Sequence, residues 1–308
     1  MYFPYLRGKQ FELLALKDLV RDGKISSKVI PVIEPLKPSS TLITTLNTFI
    51  SNDLDIVVIS NPSVGNFLEE CLSPDKEAFR RDYEIIRNNP RVLFGVDLDN
   101  HTNINREDLE TFSSKIVAVC KNTDSIPLHA TLINNRAKFN LIKDNKEFSR
   151  EITENKVMLE DKFNVQKRNA DYLNTPDELF SSDHLFYKNE GYAGFSDYSI
   201  VGSDFSEGGF APYAIAIHIV YFDENKKVRV KHFTSISNND YSDPAGKFQE
   251  AIEELVNCKD LIDISTDGLN ELRACHSEER YPGLGSVKKM SLKHHLELMN
   301  NFLISEED

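Results

Sequence analysis

Over the first 160 positions, apolar residues fall in short, nearly continuous runs separated by polar or amphipathic stretches. Runs at Tyr2–Leu6, Val29–Glu34, Ile56–Ser60, Val92–Leu98, Ile116–Cys120 and Val157–Glu160, with a weaker one inside 126–142, predict strands. Continuous rather than alternating apolar character suits parallel strands covered on both faces. The stretches between them predict helices. Lys9–Val20 places Phe11, Leu14, Leu16, Leu19 and Val20 on one side, and Thr41–Ile50 follows a Ser-Ser cap. Asp75–Asn88 follows Ser73-Pro74, a cap with proline in the first turn, and Arg106–Phe112 is a fourth helix. Strand–helix alternation of this kind builds a parallel sheet with right-handed crossovers. Seven or eight such units suit a TIM-barrel-like (β/α)8 fold, regular or irregular, with an open doubly wound sheet as the competing topology.

The pattern changes after residue 162. Residues 163–195 are polar with scattered aromatics and read as a long excursion, followed by a strand at Tyr198–Val201. Tyr213–Phe222 and Val228–Thr234 flank Asp-Glu-Asn-Lys-Lys and predict a hairpin, with helices at Ala245–Val256, Leu269–Ala274 and Ser291–Phe302. No Ser/Gly-rich linker separates the halves. The expectation is one compact domain over 1–308: the main run of β/α units in 1–162, and the last barrel unit, hairpin and C-terminal helices in 163–308.

Composition and charge narrow the classes. The chain is 40 % hydrophobic and 28 % charged, with no apolar run long enough to span a membrane. No charged n-region and apolar h-region open the sequence, and the four cysteines form no CxxC. A reduced, cytoplasmic setting without membrane attachment is therefore expected. The net charge of −13 is not spread evenly: residues 1–150 carry 20 basic and 20 acidic side chains, residues 151–308 carry 16 and 29. An acidic second half argues against broad nucleic-acid binding. No GxGxxG or GxxxxGK[ST] follows a strand, which leaves phosphate-loop nucleotide binding without support.

Several stretches carry a family resemblance. They are MYFPYLRGKQFELLAL at the start, EDKFNVQKRNADY at 160–172, GFSDYSIVGSDFSEGG at 194–209, YAIAIHIVYFD at 213–223, DPAGKF at 243–248 and YPGLGSVKKMSLKHH at 281–295. Together they resemble the phage beta-protein family and its bacterial relatives, nearly end to end. The resemblance implies a TIM-barrel-like fold and a link to phages, mobile elements or bacterial defence. It supplies no agreed catalytic residues.

In a barrel, function sits where the strands end. Those positions hold Arg7, Lys9, Glu34, Asn61, Asp97, Asp99, Lys121, Asn122 and Asp161. Arg7, Lys9, Asn61 and Lys121 would hold a phosphorylated or nucleotide-derived small molecule, with Glu34, Asp97 and Asp161 transferring protons or binding a divalent metal. Pro35 biases Glu34 to extended backbone and keeps it on its strand, one strand over from Arg7. In the hairpin, pairing Phe222 with Val228 sets His218 opposite His232. With Asp197 or Asp204 these would complete a two-His-one-carboxylate metal site; the alternative is a hydrogen-bonded histidine pair. Asp144 with Glu160-Asp161-Lys162 echoes the acid…acid-x-Lys of Mg-dependent nucleases. Two functions stay open beside that minor one. The first is a barrel protein that binds, or binds and hydrolyses, a small phosphorylated ligand. The second is a non-catalytic protein that meets a protein partner through its acidic half in a phage-conflict pathway.

Overall fold

The structure is a computed structural model that describes residues 1–100, 103–205 and 212–306. Residues 206–209 of the family-like stretch 194–209 lie outside the described residues. The chain forms two compact units, one of residues 1–161 with 186–198 and one of 162–185 with 199–308.

The first unit is the barrel. Its strands are β1 (Tyr5–Leu6), β2 (Val32–Ile33), β3 (Ile56–Ile59), β4 (Val92–Asp97), β5 (Ile116–Cys120), β6 (Phe139–Ile142), β7 (Lys156–Leu159) and β9 (Gly194–Ser196). Each pairs in parallel with the next, in sequence order. Hydrogen bonds from the Phe3 N–H to Phe195 O and the Tyr5 N–H to Asp197 O, each 2.8 Å, bring the last strand back to the first. Alternate residues of the strands fill the interior: Phe3, Tyr5, Val32, Val57, Ile59, Leu93, Val117, Val119, Leu141, Val157 and Leu159 form one buried cluster. The other alternate set faces outward, which is why the strands read as continuously apolar. Helices α1 (Gln10–Arg21), α2 (Ser40–Ser51), α3 (Phe67–Cys71), α4 (Glu77–Arg87), α5 (Arg106–Thr111), α6 (Ile126–Leu128) and α7 (Lys146–Glu151) connect them. Ser39 caps α2 through its side chain, and Pro74 opens the short 3-10 turn that leads into α4.

The eighth barrel strand is not the predicted Tyr198–Val201. It lies at Gly194–Ser196, and Ser199–Val201 is a 3-10 turn that Ser199 enters at φ 51°. The apolar residue Tyr198 is used on the barrel interior instead, where its ring lies 5.0 Å from that of Tyr5.

The second unit holds β8 (Asp177–Ser181), β10 (Ala216–Phe222) and β11 (Val228–Thr234), an antiparallel sheet in the order β10-β11-β8. The hairpin register is the expected one: Phe222 pairs with Val228, Val220 with Val230 and His218 with His232. β8 lies inside the predicted excursion and is followed by the short helix α8 (Asp183–Phe186). It starts on Asp177-Glu178 and leaves Leu179 half exposed, so it carries little apolar signal as an edge strand. Ile215, Ile217, Ile219, Tyr221 and Phe233 form a core with α9 (Pro244–Val256), α10 (Asp267–Ser277) and α11 (Leu284–Ser305). Among the described residues no helix is long and apolar enough to cross a membrane.

Candidate functional site

The C-terminal ends of β1 to β5 bring together most of the residues expected there. Glu34 follows β2 and is fully buried. Its Oε2 accepts from the Tyr5 hydroxyl (2.9 Å) and from the Arg7 guanidinium, and its Oε1 accepts from the Ser63 N–H (2.7 Å) and hydroxyl (2.8 Å). Burial pushes the Glu34 carboxyl up. The Arg7 charge, the two Ser63 donors and Lys121 together outweigh it and hold the group below the usual glutamate range.

Asp97, at the end of β4, is also fully buried but goes the other way. Burial raises its pKa by more than Lys121 lowers it, and the negative charges of Asp99 and Glu34 add to the rise. Its Oδ2 takes the Lys121 ammonium at 2.5 Å. Asn61 locks the Asp97 backbone on both sides, receiving its N–H at 2.9 Å and donating to its carbonyl at 2.7 Å. Asp99 accepts the backbone N–H groups of Lys121 (2.6 Å) and Asn122 (3.1 Å), tying the end of β4 to the end of β5.

Tyrosines that the sequence reading passed over complete the ring. The guanidinium carbon of Arg7 lies 5.6 Å from the centroids of both the Tyr5 and Tyr198 rings, and the Lys121 ammonium lies 5.9 Å from that of Tyr5. Burial raises both phenols, and Glu34 and Asp97 raise them further, so they remain hydrogen-bond donors. Strand alternation carried a signal for Tyr5, since it shares the inward face with Phe3. Ser63 had none, because its role depends on how the loop after β3 closes over β2.

The ring is not complete as expected. Lys9 caps the N-terminus of α1, its backbone N–H received by Glu12 Oε2 at 3.2 Å. Asp161 follows β7 as an exposed side chain whose charge is felt at Tyr198. The nuclease-like groups have other partners: Asp144 accepts the Tyr192 hydroxyl at 2.8 Å, and Lys162 pairs with Asp183 at 2.9 Å. Beside the ring, a cavity of about 560 Å³ opens at the ends of β4 and β5. It is lined by Leu98, Asp99, Asn122, Asp124, Ser125 and Thr131 among others.

The expected metal set of His218, His232 and Asp197 draws on both units, and each of its residues has a partner within its own unit. Among the described residues no group of three or more His, Cys, Asp or Glu side chains is placed to hold a metal ion. His218 Nδ1 and His232 Nδ1 lie 2.7 Å apart and share one proton, His232 Nε2 meets Glu178 Oε1 at 3.2 Å, and Asp197 accepts the Tyr2 hydroxyl at 2.8 Å. Burial lowers both imidazoles, and each also feels a charged neighbour: His232 a raising Glu178, His218 a lowering Lys288. Phe163 and Tyr172 pack against them, their ring centroids 5.0 Å and 4.7 Å from that of His218. The hydrogen-bonded pair is the alternative that the geometry realises.

No family model matches the chain, and no curated protein matches it.

Proposed function

We propose that the barrel binds a small phosphorylated or nucleotide-derived ligand at the C-terminal ends of β4 and β5. The observation that carries the reading is a solvent-reaching cation, Lys121, at the end of β5, where the next residue, Asn122, begins the lining of a cavity with both polar and apolar walls. Lys121 gives one of its three donors to Asp97, its side chain is 21 % exposed, and the cavity lined by Asp99, Asn122, Asp124 and Ser125 adjoins it in the chain. Carboxylates and amides of that kind accept the hydroxyls of a sugar, while an ammonium takes a phosphate. Glu34 and Asp97 extend the reading towards chemistry. Two carboxylates driven in opposite directions within one ring divide acid and base roles between them: Glu34 stays ionised and Asp97 holds its proton to higher pH. The family-like stretches support a setting in phage conflict for this ligand site.

Calorimetric titration with adenosine 5′-monophosphate, ribose 5-phosphate and inorganic phosphate tests the reading. At least one of the organic phosphates should bind, and Lys121→Met should weaken it by about tenfold or more, the effect of losing one charge-assisted hydrogen bond. Asp97→Asn, which mimics the protonated acid, should keep binding and remove any turnover. Wild-type protein that binds none of the three would overturn the proposal.

A second reading has its own observation. Arg7 is paired with Glu34 and Lys121 with Asp97, as in a barrel whose mouth is internally neutralised. In that case the acidic second half would meet a protein partner, and the phosphate titrations would be flat.

A further inference from the structure

A second cavity lies outside the barrel wall, in its helix layer. Outward-facing residues of the strands form its floor: Val58 of β3 with Val92 and Phe94 of β4. Helix α4 does not fill the space above them. Whereas α1 buries six side chains and α2 four, α4 buries only Ile86. Its aromatic stripe is turned on itself and on α3: Phe79 stacks on Tyr83 at 5.6 Å and 14°, and Phe67 meets both rings edge-on at 6.0 and 5.6 Å. Two apolar walls therefore face each other across a cavity of about 320 Å³, within the size of natural small-molecule pockets.

The polar groups around it specify what would fit. Arg87 is held by Asp108 at 2.7 Å and Glu84 at 3.4 Å, and its guanidinium carbon lies 4.7 Å from the centroid of the Phe112 ring. Arg80 donates to the carbonyls of Cys71 and Ser73, closing the end of α3. The four charged groups of the lining, Arg80, Arg87, Glu84 and Asp108, thus cancel in net charge, although the Arg87 Nη2 beside Asp108 makes no hydrogen bond. Tyr83 differs: among the described residues its hydroxyl has no hydrogen-bond partner, and burial keeps it protonated. An apolar, aromatic-walled space whose charges are ion-paired or hydrogen-bonded, with the Tyr83 hydroxyl on its aromatic wall and the amides of Asn103 and Asn105 in its lining, favours a neutral ligand over an ion. We propose that this cavity is a binding site for a neutral, single-ring planar molecule carrying one hydrogen-bond acceptor, received between the α3–α4 aromatics and the β3–β4 wall and held by the Tyr83 hydroxyl.

Benzamide is the neutral probe and benzoate its charged counterpart of the same shape. Titration of the full chain, followed by NMR shifts of the Val58 methyl groups, should give saturable benzamide binding. Benzoate should bind at least tenfold more weakly, because its carboxylate would be desolvated without a free cation. Tyr83→Phe removes only the donor and should weaken benzamide about five- to tenfold at an unchanged melting temperature. Leu68→Trp, at the 37 % exposed rim, should block entry. The proposal is overturned by wild-type protein that does not saturate with benzamide. It is equally overturned by benzoate binding as tightly as benzamide, or by a folded Tyr83→Phe and a folded Leu68→Trp that both bind like wild type.

Discussion

Lowering the pH from 6.5 to about 4 should destabilise the second unit steeply, by about 3 kcal/mol for each of two histidines. His294 and His295 are consecutive on α11 and almost fully buried. The His294 Nδ1 accepts from the Thr266 hydroxyl at 2.7 Å, and its Nε2–H donates to the Val220 carbonyl at 2.6 Å, so the neutral ring is fully satisfied. His295 Nδ1 meets the Ser199 hydroxyl at 2.7 Å. Burial drives His294 down to about 4. It drives His295 down to about 3, with the neighbouring charges of His294 and His184 acting in the same direction. A folded-state value depressed below the unfolded 6.5 means that the unfolded chain binds protons which the native chain refuses. The stabilisation is complete above pH 6.5 and is lost as pH falls towards 4 and 3. Urea unfolding followed by circular dichroism at pH 7 and pH 4.5 measures the loss. A His294→Gln/His295→Gln variant should be less stable at pH 7 but flatter between 6.5 and 4. Imidazole carbon shifts that titrate near 6.5 in the native protein would contradict the argument.

Residue by residue, what was legible in the sequence was whatever a single strand or helix determines. All seven runs predicted over the first 160 residues overlap a barrel strand, and four of them, at β3, β4, β5 and β7, match it to within a residue at each end, because a parallel strand covered on both faces has no choice but to be apolar throughout. The hairpin register followed from period-two alternation and its short turn, and it placed His218 against His232 correctly. The Arg7–Glu34 neighbourhood followed from strand order. What escaped depends on loops and on long separations in the chain. Ser63 reaches Glu34 only because the loop after β3 folds back, and Lys121 reaches Asp97 across two strand ends. Glu178, which orients the histidine pair, sits on an edge strand whose sequence Asp-Glu-Leu-Phe-Ser reads as loop. Strand order, helix caps and parity are local rules; partners supplied by a crossover are not, and a candidate site consists mostly of such partners.

The same distinction governs the substitution expected to do the most harm, Gly268→Ala. Gly268 stands in the first turn of α10, where α10 crosses α11. A methyl group there would lie 2.0 Å from the Met290 carbonyl oxygen, 2.6 Å from the His294 nitrogen and 3.0 Å from the Lys293 Cβ. The first two are backbone atoms of one turn of α11, so no rotamer change relieves the clash. Separating the helices would pull apart the contacts that pin them: Thr266 to His294, the Asp267 N–H to Glu297 Oε2 at 2.7 Å, and Lys293 to Glu271. Alanine normally favours a helix, so propensity alone predicts a gain of about 1 kcal/mol. The crossing predicts the opposite sign and a loss of about 4 kcal/mol or more, beyond ordinary overpacking because backbone must move. Gly23→Ala is the control. It meets nothing within 4 Å but has φ +67°, and it should lose only about 1 kcal/mol, for the left-handed backbone. Denaturant unfolding of the full chain separates the two, and a Gly268→Ala protein as stable as the Gly23→Ala control would show that α10 and α11 do not meet at this residue.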